Sequence, residues 1–218
     1  MANCRTHLQW KHISVKSIIA CAVLVLAIAG NAGAQPMALN ELVTPIAFYP
    51  DVVVAQVLAA STHPDEIGDA ASWLDGEHSS DARELAQEVD GTPWHPEIKA
   101  LALTRPVLDS MRRQPSWIKA LGAAYARNPT EVVSAVQAVR RNAQVEGRLL
   151  SSSGQRVIVN ATIIYLEPVD PQYVYVPGAG VFDIAAYERF SWGWHGWQVD
   201  WKEGTIRFQD APYAFGRE

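Results

Sequence analysis

The chain has 218 residues, of which 49% are hydrophobic, a formal net charge of −5 and only two cysteines. This length suits one domain, or one domain with an appendage, and is sufficient to bury a core without disulfide bonds. The acidic balance argues against binding to nucleic acids or to anionic membrane surfaces.

The first 34 residues have the pattern of a cleaved secretory signal peptide. Three basic residues precede an apolar stretch at 17–29, and small residues at 32–34 favour cleavage before Gln35. The apolar stretch is short for a bilayer span, and an uncleaved membrane anchor is the alternative. The leader predicts export to the periplasm or cell envelope of a bacterium, with no stable membrane span after cleavage.

Cleavage would change the composition of the mature protein. Three basic residues and no acidic ones are removed, which leaves 15 Lys and Arg against 23 Asp and Glu, a net charge of −8. Both cysteines, Cys4 and Cys21, leave with the leader. The mature protein is therefore predicted to contain no disulfide and no reactive thiol, so that its stability depends on its hydrophobic core.

The stretch 38–62 is the longest apolar run after the leader and is predicted to form the centre of the fold. Apolar residues repeat at helical spacing up to Ala47, and Asp51 is predicted to cap the next helix. Residues 52–60 carry one polar side chain, Gln56, which indicates a helix buried on most sides.

The segment that follows, up to Gly147, predicts further helices packed around this centre. The best-specified helix is 129–146, with Asn128 as its N-cap and Gly147 as its stop. Arg140 and Arg141 lie near its end, where cations complement the helix dipole.

Beyond a serine-rich joint the hydrophobic period changes from helical to alternating. Residues 156–166 predict a strand, with a polar side chain or a bend at Asn160, and 173–176 predict a second strand. The predicted fold class is α+β, with a multi-helical region at 35–148 followed by a small antiparallel β region at 149–218.

The Trp-rich tail predicts a three-stranded antiparallel meander. Two-residue turns at 195–196 and 203–204 would place Trp201 opposite Ile206 and Val199 opposite Phe208. We expect this face to pack against the rest of the protein, because large exposed apolar patches are uncommon; the alternative is a platform that stacks on sugar rings or a partner. Trp194 and Trp197 would be its most reachable members. The predicted face comprises Phe190, Trp192, Trp194, Trp197, Val199, Trp201, Ile206 and Phe208.

Several separate motifs resemble the family known as domain of unknown function 3300 (DUF3300), which occurs in secreted bacterial proteins. They occur in order at 42–51, 55–62, 70–74, 94–101, 117–122, 136–140 and 167–177. Two features depart from the family pattern: His95 replaces a usual acid, and Gly178-Ala179-Gly180 replaces a Tyr/Asn-Pro turn. The resemblance implies a bacterial envelope location and implies no activity.

Residues with catalytic or metal-binding potential form no recognisable motif. No histidine pair has metal-ligand spacing, so neither a metal site nor a cofactor is predicted. His63 is interpreted as the neighbour of a helix cap, and the first-turn acids Asp65, Glu66 and Asp69 as dipole partners. His95, between Trp94 and Pro96, is the better functional candidate. The predicted mature chain has four histidines, His63, His78, His95 and His195.

The leading functional hypothesis is a non-enzymatic binding or scaffolding module of the periplasm, with another envelope protein or cell-wall glycan as its partner. The candidate binding residues are Trp192, Trp194, Trp197, Trp201 and His95. One alternative is a hydrolase of cell-wall glycan or peptide that uses carboxylates and His95, which a concave site uniting His95 with two acids would favour. A purely structural partner of another secreted protein is the third hypothesis.

Overall fold

The computed structural model describes residues 37–213, so the predicted signal peptide lies outside the described residues. Helices form the first part of this range and confirm the predicted multi-helical region. They are α1 Leu39–Val43, α2 Asp51–Ala60, α3 Pro64–Leu74, α4 Ala82–Asp90, α5 Pro96–Ala102, α6 Arg105–Arg112, α7 Pro115–Arg127 and α8 Pro129–Val145.

Short antiparallel strands form the second part, which confirms the α+β class. The strands pair as β1 with β2, β3 with β4, and β5 with β6 and β7. Their bounds are β1 Gln155–Asn160, β2 Ile163–Pro168, β3 Tyr173–Val176, β4 Gly180–Asp183, β5 Trp197–Asp200, β6 Thr205–Phe208 and β7 Ala211–Pro212.

Helix α2 lies at the centre of the core, as its apolar sequence predicted. Eight of its ten residues are buried, Gln56 among them. The helix contacts α5 and α7 and also strands β2, β5 and β6. Asp51 is its first residue rather than its N-cap, which is Pro50. The predicted cap at Asp51 is therefore wrong by one position. The Asp51 side chain hydrogen-bonds to residues of α8, of β2 and of the tail instead of to its own helix.

Local signals account for where the helices begin and end. Asp81 caps α4 by accepting hydrogen bonds from two backbone amides, and Asn128 caps α8 as predicted. Gly147 follows α8 with φ of +69°, a left-handed conformation that favours glycine and ends the helix. Prolines in the first turn start five helices, at Pro64, Pro96, Pro106, Pro115 and Pro129.

Close backbone approach packs α7 against the end of α2. A Cβ at Gly122 would lie 2.0 Å from the carbonyl oxygen of Ser61. No side chain fits in that space, so only glycine allows this contact.

The segment predicted as one strand at 156–166 is a hairpin of two strands. Strands β1 and β2 pair in register from Gln155 with Pro168 to Asn160 with Ile163. Ala161, in the intervening turn, has φ of +53°. Asn160 therefore ends strand β1 just before the chain reverses, where the sequence predicted only a polar side chain or a bend.

The predicted meander is wrong in its first strand. Residues 188–193 form turns, and a 3-10 turn follows at Trp194–Gly196. The amide of Gly193 donates to Phe190 O at 2.9 Å, and a Cβ on Gly193 would lie 2.3 Å from Tyr187 O. The alternating aromatic residues of this segment pack into the core although its backbone forms turns. A hydrophobic period of two does not distinguish such a segment from a strand.

The second hairpin of the tail forms, with its register shifted by two residues. Trp197 pairs with Phe208 and Val199 with Ile206, because four residues, 201–204, make the connection instead of two. A shift of two keeps side chains on the same face. The predicted common face of these four residues is thus correct, although their partners are not.

Helix α8 fastens the hairpin β1–β2 to the helical region. Gln137, a buried side chain, donates to Ile164 O at 2.9 Å and accepts from Ile164 N at 2.9 Å. One hydrophobic core includes residues of both the helices and the tail, among them Trp192 and Ile206. Among the residues from 37 to 213, no helix is long and apolar enough to cross a membrane.

Candidate functional site

Two helices that begin with His-Pro bring their first turns together. His63 precedes Pro64 at the start of α3, and His95 precedes Pro96 at the start of α5. Neither side chain caps its own helix. The two imidazole rings stack with centroids 3.9 Å apart and planes inclined by 21°. Two histidines separated by 32 positions in the sequence are therefore in direct contact.

Glu66 binds the histidine of the other helix through both carboxylate oxygens. Its Oε1 lies 2.6 Å from His95 Nδ1, and its Oε2 accepts from the backbone amide of His95 at 2.9 Å. The prediction that Glu66 serves only the dipole of its own helix omitted this role. Glu66 instead connects α3 to α5, while the neighbouring Asp65 and Asp69 are exposed.

A second carboxylate, that of Glu97, lies beneath His63 and is inaccessible to solvent. Glu97 Oε1 is 3.4 Å from His63 Nε2 and accepts from the Tyr213 hydroxyl at 2.7 Å. The other oxygen, Oε2, has no hydrogen-bond partner among residues 37–213. Buried carboxylates are normally paired or fully hydrogen-bonded, so this oxygen is unusual.

We call this group of four residues the histidine cluster: His63, Glu66, His95 and Glu97. Burial, assisted by the neighbouring His95, lowers the pKa of His63, and Glu66 opposes this. Burial also raises the pKa of Glu97, against the effect of the Tyr213 hydrogen bond. Burial and the adjacent carboxylate together raise the pKa of Tyr213. The lowered pKa of His63 favours the uncharged imidazole, which is the form that can act as a ligand.

The histidine cluster contains a donor set able to hold a metal ion. His63, Glu66 and His95 each offer one ligand atom, and these atoms lie within 4.8 Å of one another. The sequence predicted no metal site, because motif spacing detects only ligands that are close in the chain. The signal that could have revealed the cluster is the repeated His-Pro pair, each followed by a glutamate within the first helical turn.

Three of the four candidate tryptophans lie in the core. Trp192 stacks on Tyr187 and Phe190 and donates to Asp90 at 2.8 Å. Trp194 and Trp197 are 4% and 0% exposed, so the expectation that these two remain most reachable is wrong. The 3-10 turn between them folds both rings inward. Their burial supports the packing alternative that the sequence favoured.

Trp201, the fourth candidate, is partly exposed and belongs to a buried ionic network. Its Nε1 donates to Asp51 Oδ2 at 2.8 Å, and the Arg140 guanidinium lies 4.7 Å from its ring centroid. Arg140 also bonds Asp51 Oδ1 at 2.6 Å and is fully buried. The dipole role predicted for Arg140 at the end of α8 is therefore wrong, because its side chain points into the core.

A cleft of about 590 Å³ opens between the start of α2, the hairpin β1–β2 and the tail. Its lining includes aromatic side chains of Tyr165 and Trp194. Exposed polar residues form its rim, and they are Arg156, Glu167, His195 and Gln198. His95 belongs to the histidine cluster and is not among the residues that line this cleft. Of the four candidate tryptophans, Trp194 and Trp197 line the cleft and Trp192 and Trp201 do not, so the candidate residues do not form one site.

Comparison with known proteins agrees with the motifs in the sequence. An uncharacterized protein of Escherichia coli (strain K12), YacH, is 29% identical over 171 aligned residues, with 64% of this chain and 28% of that relative covered. The chain thus matches a little over a quarter of that relative's length. Among solved structures, none matches this chain significantly. Residues 35–209 match the model of a family described as "Protein of unknown function (DUF3300)", and the chain therefore belongs to the DUF3300 family.

Proposed function

We propose that the chain is an exported, non-enzymatic binding module of a bacterial cell envelope. The basic start, the short apolar stretch and the small residues before Gln35 support export. Cell-wall glycan is the ligand class that suits the chemistry of the cleft best. We expect the intact mass of the exported protein to match a chain that begins at Gln35. A membrane-bound form that retains residues 1–34 would contradict cleavage.

The cleft is the observation that carries this proposal. The half-buried ring of Tyr165 in its lining offers a face on which a sugar ring can stack, and the polar rim offers donors and acceptors for hydroxyl groups. Its volume of about 590 Å³ lies within the range of small-ligand sites. His195 at the rim is held near Glu188, with Nε2 at 2.9 Å from Oε1, and its side chain is 64% exposed.

Co-sedimentation with purified peptidoglycan sacculi tests glycan binding. We expect the full chain to sediment with sacculi and a His195→Ala/Gln198→Ala variant to bind about tenfold more weakly, since two polar contacts are lost. Both residues are exposed, so the variant should fold normally. A matched control changes the exposed Arg83 and Gln87 of α4 to alanine. Equal binding by all three proteins, or no binding, would contradict the proposal.

A hydrolase remains the second candidate, because His95, Glu66 and Glu97 meet in one cluster. A glutamate with a raised pKa is suited to act as a general acid. Against catalysis, both oxygens of Glu66 are engaged by His95, and Glu97 is 0% exposed. Release of soluble fragments from sacculi by the wild type, and its loss in Glu97→Gln, would favour the hydrolase over a binding module.

A further inference from the structure

The donor atoms of the histidine cluster match the ligand preferences of a divalent transition metal. Two imidazoles and one carboxylate, from His63, His95 and Glu66, present atoms within 4.8 Å of one another. Two histidines with one glutamate are a known ligand set of Zn²⁺, with a fourth position left for water or another ligand. Imidazole and carboxylate also suit other first-row metals.

The buried carboxylate of Glu97 is an independent observation that points to a cation. Its Oε2 has no hydrogen-bond partner in the described part of the chain, and its residue is 0% exposed. A metal-bound histidine usually directs its second nitrogen to a carboxylate, which orients the ring. Glu97 Oε1, at 3.4 Å from His63 Nε2, lies near that position and would form the orienting hydrogen bond after a small movement. His63 would then bind the metal through Nδ1.

The charges at the cluster favour a cation over an anion. The first turns of α3 and α5 each contribute roughly half a positive charge, which opposes cation binding. Glu66 and Glu97 place two carboxyl groups beside the imidazoles, and carboxyl oxygens are ligands or orienting partners at cation sites rather than at anion sites.

Metal binding requires side-chain movement, including a shift of Glu66, whose two oxygens at present contact His95 at 2.6 and 2.9 Å. Ligand atoms of a tetrahedral Zn²⁺ site with bonds of about 2.0–2.1 Å lie roughly 3.3 Å apart. Separations of up to 4.8 Å must therefore shorten by at most about 1.5 Å. The stacked imidazoles must tilt so that their nitrogens converge. The side chains of His63, Glu66 and His95 are 19%, 27% and 41% exposed, which gives them room to rotate and gives an ion a route from solvent.

We infer that the histidine cluster is a binding site for one divalent transition-metal ion, with Zn²⁺ as the first to test. His63, Glu66 and His95 are the ligands, and Glu97 is a positioning residue that orients His63. This inference depends neither on export nor on glycan binding, since the cleft and the cluster have different residues.

Calorimetric titration of the chelator-treated full chain with ZnCl₂ tests the site. We expect the wild type to bind Zn²⁺ at one saturable site. The affinity should fall by more than about 100-fold in His63→Ala and in His95→Ala. It should fall by about 10- to 100-fold in Glu97→Gln, which is the typical cost of removing an orienting partner. The variant His78→Ala removes a histidine that belongs neither to the cluster nor to the cleft and should bind Zn²⁺ as the wild type does. MgCl₂, which prefers an all-oxygen site, should give no comparable binding.

Substitution with Co²⁺ separates the cluster from donors near the N-terminus of the chain. Its absorption spectrum distinguishes nitrogen and oxygen ligands from the thiolates that Cys4 or Cys21 would supply. If circular dichroism shows that an alanine variant is unfolded, Glu66→Gln keeps the side-chain shape and provides the same test. The inference is overturned if the full chain shows no saturable Zn²⁺ binding, or if the double variant His63→Ala/His95→Ala binds it as tightly as the wild type.

Discussion

Two groups of charged side chains lie at helix N-termini and differ in how completely their polar atoms are paired. At the start of α2, Asp51 accepts from Arg140, from Leu166 N and from Trp201. Arg140 also donates to the carbonyls of Ala47, Tyr49 and Ile164. At the start of α3 and α5, the histidine cluster is partly exposed and leaves Glu97 Oε2 unpaired within residues 37–213.

The comparison distinguishes a structural network from a site with unused binding capacity. Burial lowers the pKa of Arg140 and Asp51 opposes this, but an arginine stays protonated at physiological pH. Its hydrogen bonds therefore hold α8, the start of α2 and β2 in one arrangement. The histidine cluster is partly exposed and contains a buried carboxyl group with one oxygen unpaired within residues 37–213, and these features suit a binding site.

The largest expected effect is the loss of the paired network in Arg140→Met. The substitution removes the guanidinium that pairs with the partly buried Asp51 and that donates to three backbone carbonyls, so we expect a decrease of about 3–5 kcal/mol in the free energy of unfolding. Chemical denaturation monitored by circular dichroism measures it. The neighbouring variant Arg141→Met changes an exposed side chain and should cost little. A loss below about 1 kcal/mol for Arg140→Met would refute the structural role assigned here.

A smaller loss is expected for Trp201→Phe. Phenylalanine keeps a ring near Arg140 but cannot donate to Asp51, so unfolding should become easier by about 1–2 kcal/mol. A double-mutant cycle with Asp51→Asn isolates the bond between the two side chains. Additive effects in that cycle would mean that the 2.8 Å contact contributes nothing to stability.

The histidine cluster should respond differently to neutralisation of its buried acid. Glu97→Gln preserves size and an acceptor for Tyr213 while replacing a carboxyl group whose ionised form is costly to bury. In the presence of a chelator we expect the free energy of unfolding to stay within about 1 kcal/mol of the wild type or to rise. The matched change Glu66→Gln disturbs two hydrogen bonds to His95 and should be the more destabilising of the pair. A larger loss of stability in Glu97→Gln than in Glu66→Gln would contradict this expectation.

The smallest effect is expected for an exposed ion pair, that of Asp75 with Arg105 and Arg112. A hydrogen bond from Arg112, with the charges of both arginines, lowers the pKa of Asp75. Its contribution is therefore present above the unfolded value of about 3.9 and is lost as pH falls through the lower folded value. Below about pH 4 the thermal midpoint of Asp75→Asn should fall less steeply than that of the wild type. The exposed control Glu77→Gln should follow the wild type, and identical slopes for all three would contradict the prediction.

The sequence by itself determined the helical region and the ends of its best-specified helix, α8. Prolines, Asn128 and Gly147 act through backbone groups one turn away, and the apolar stripe of a helix repeats every 3.6 residues. The same reasoning identified α2 as the buried centre and the change to short antiparallel strands after the serine-rich joint. The family followed from motifs that need no folded contact to be recognised.

Only the tertiary structure decided which distant residues meet. Residues 188–193 alternate like a strand, but they form turns that include a hydrogen bond from Phe190 N to Tyr187 O. The Arg140 side chain pairs with Asp51, which lies beside it in the fold, instead of with the end of its own helix. His63 and His95 became neighbours because α3 and α5 pack side by side. Helical periodicity records one helix at a time, and packing between helices is set by shape and burial over the whole core.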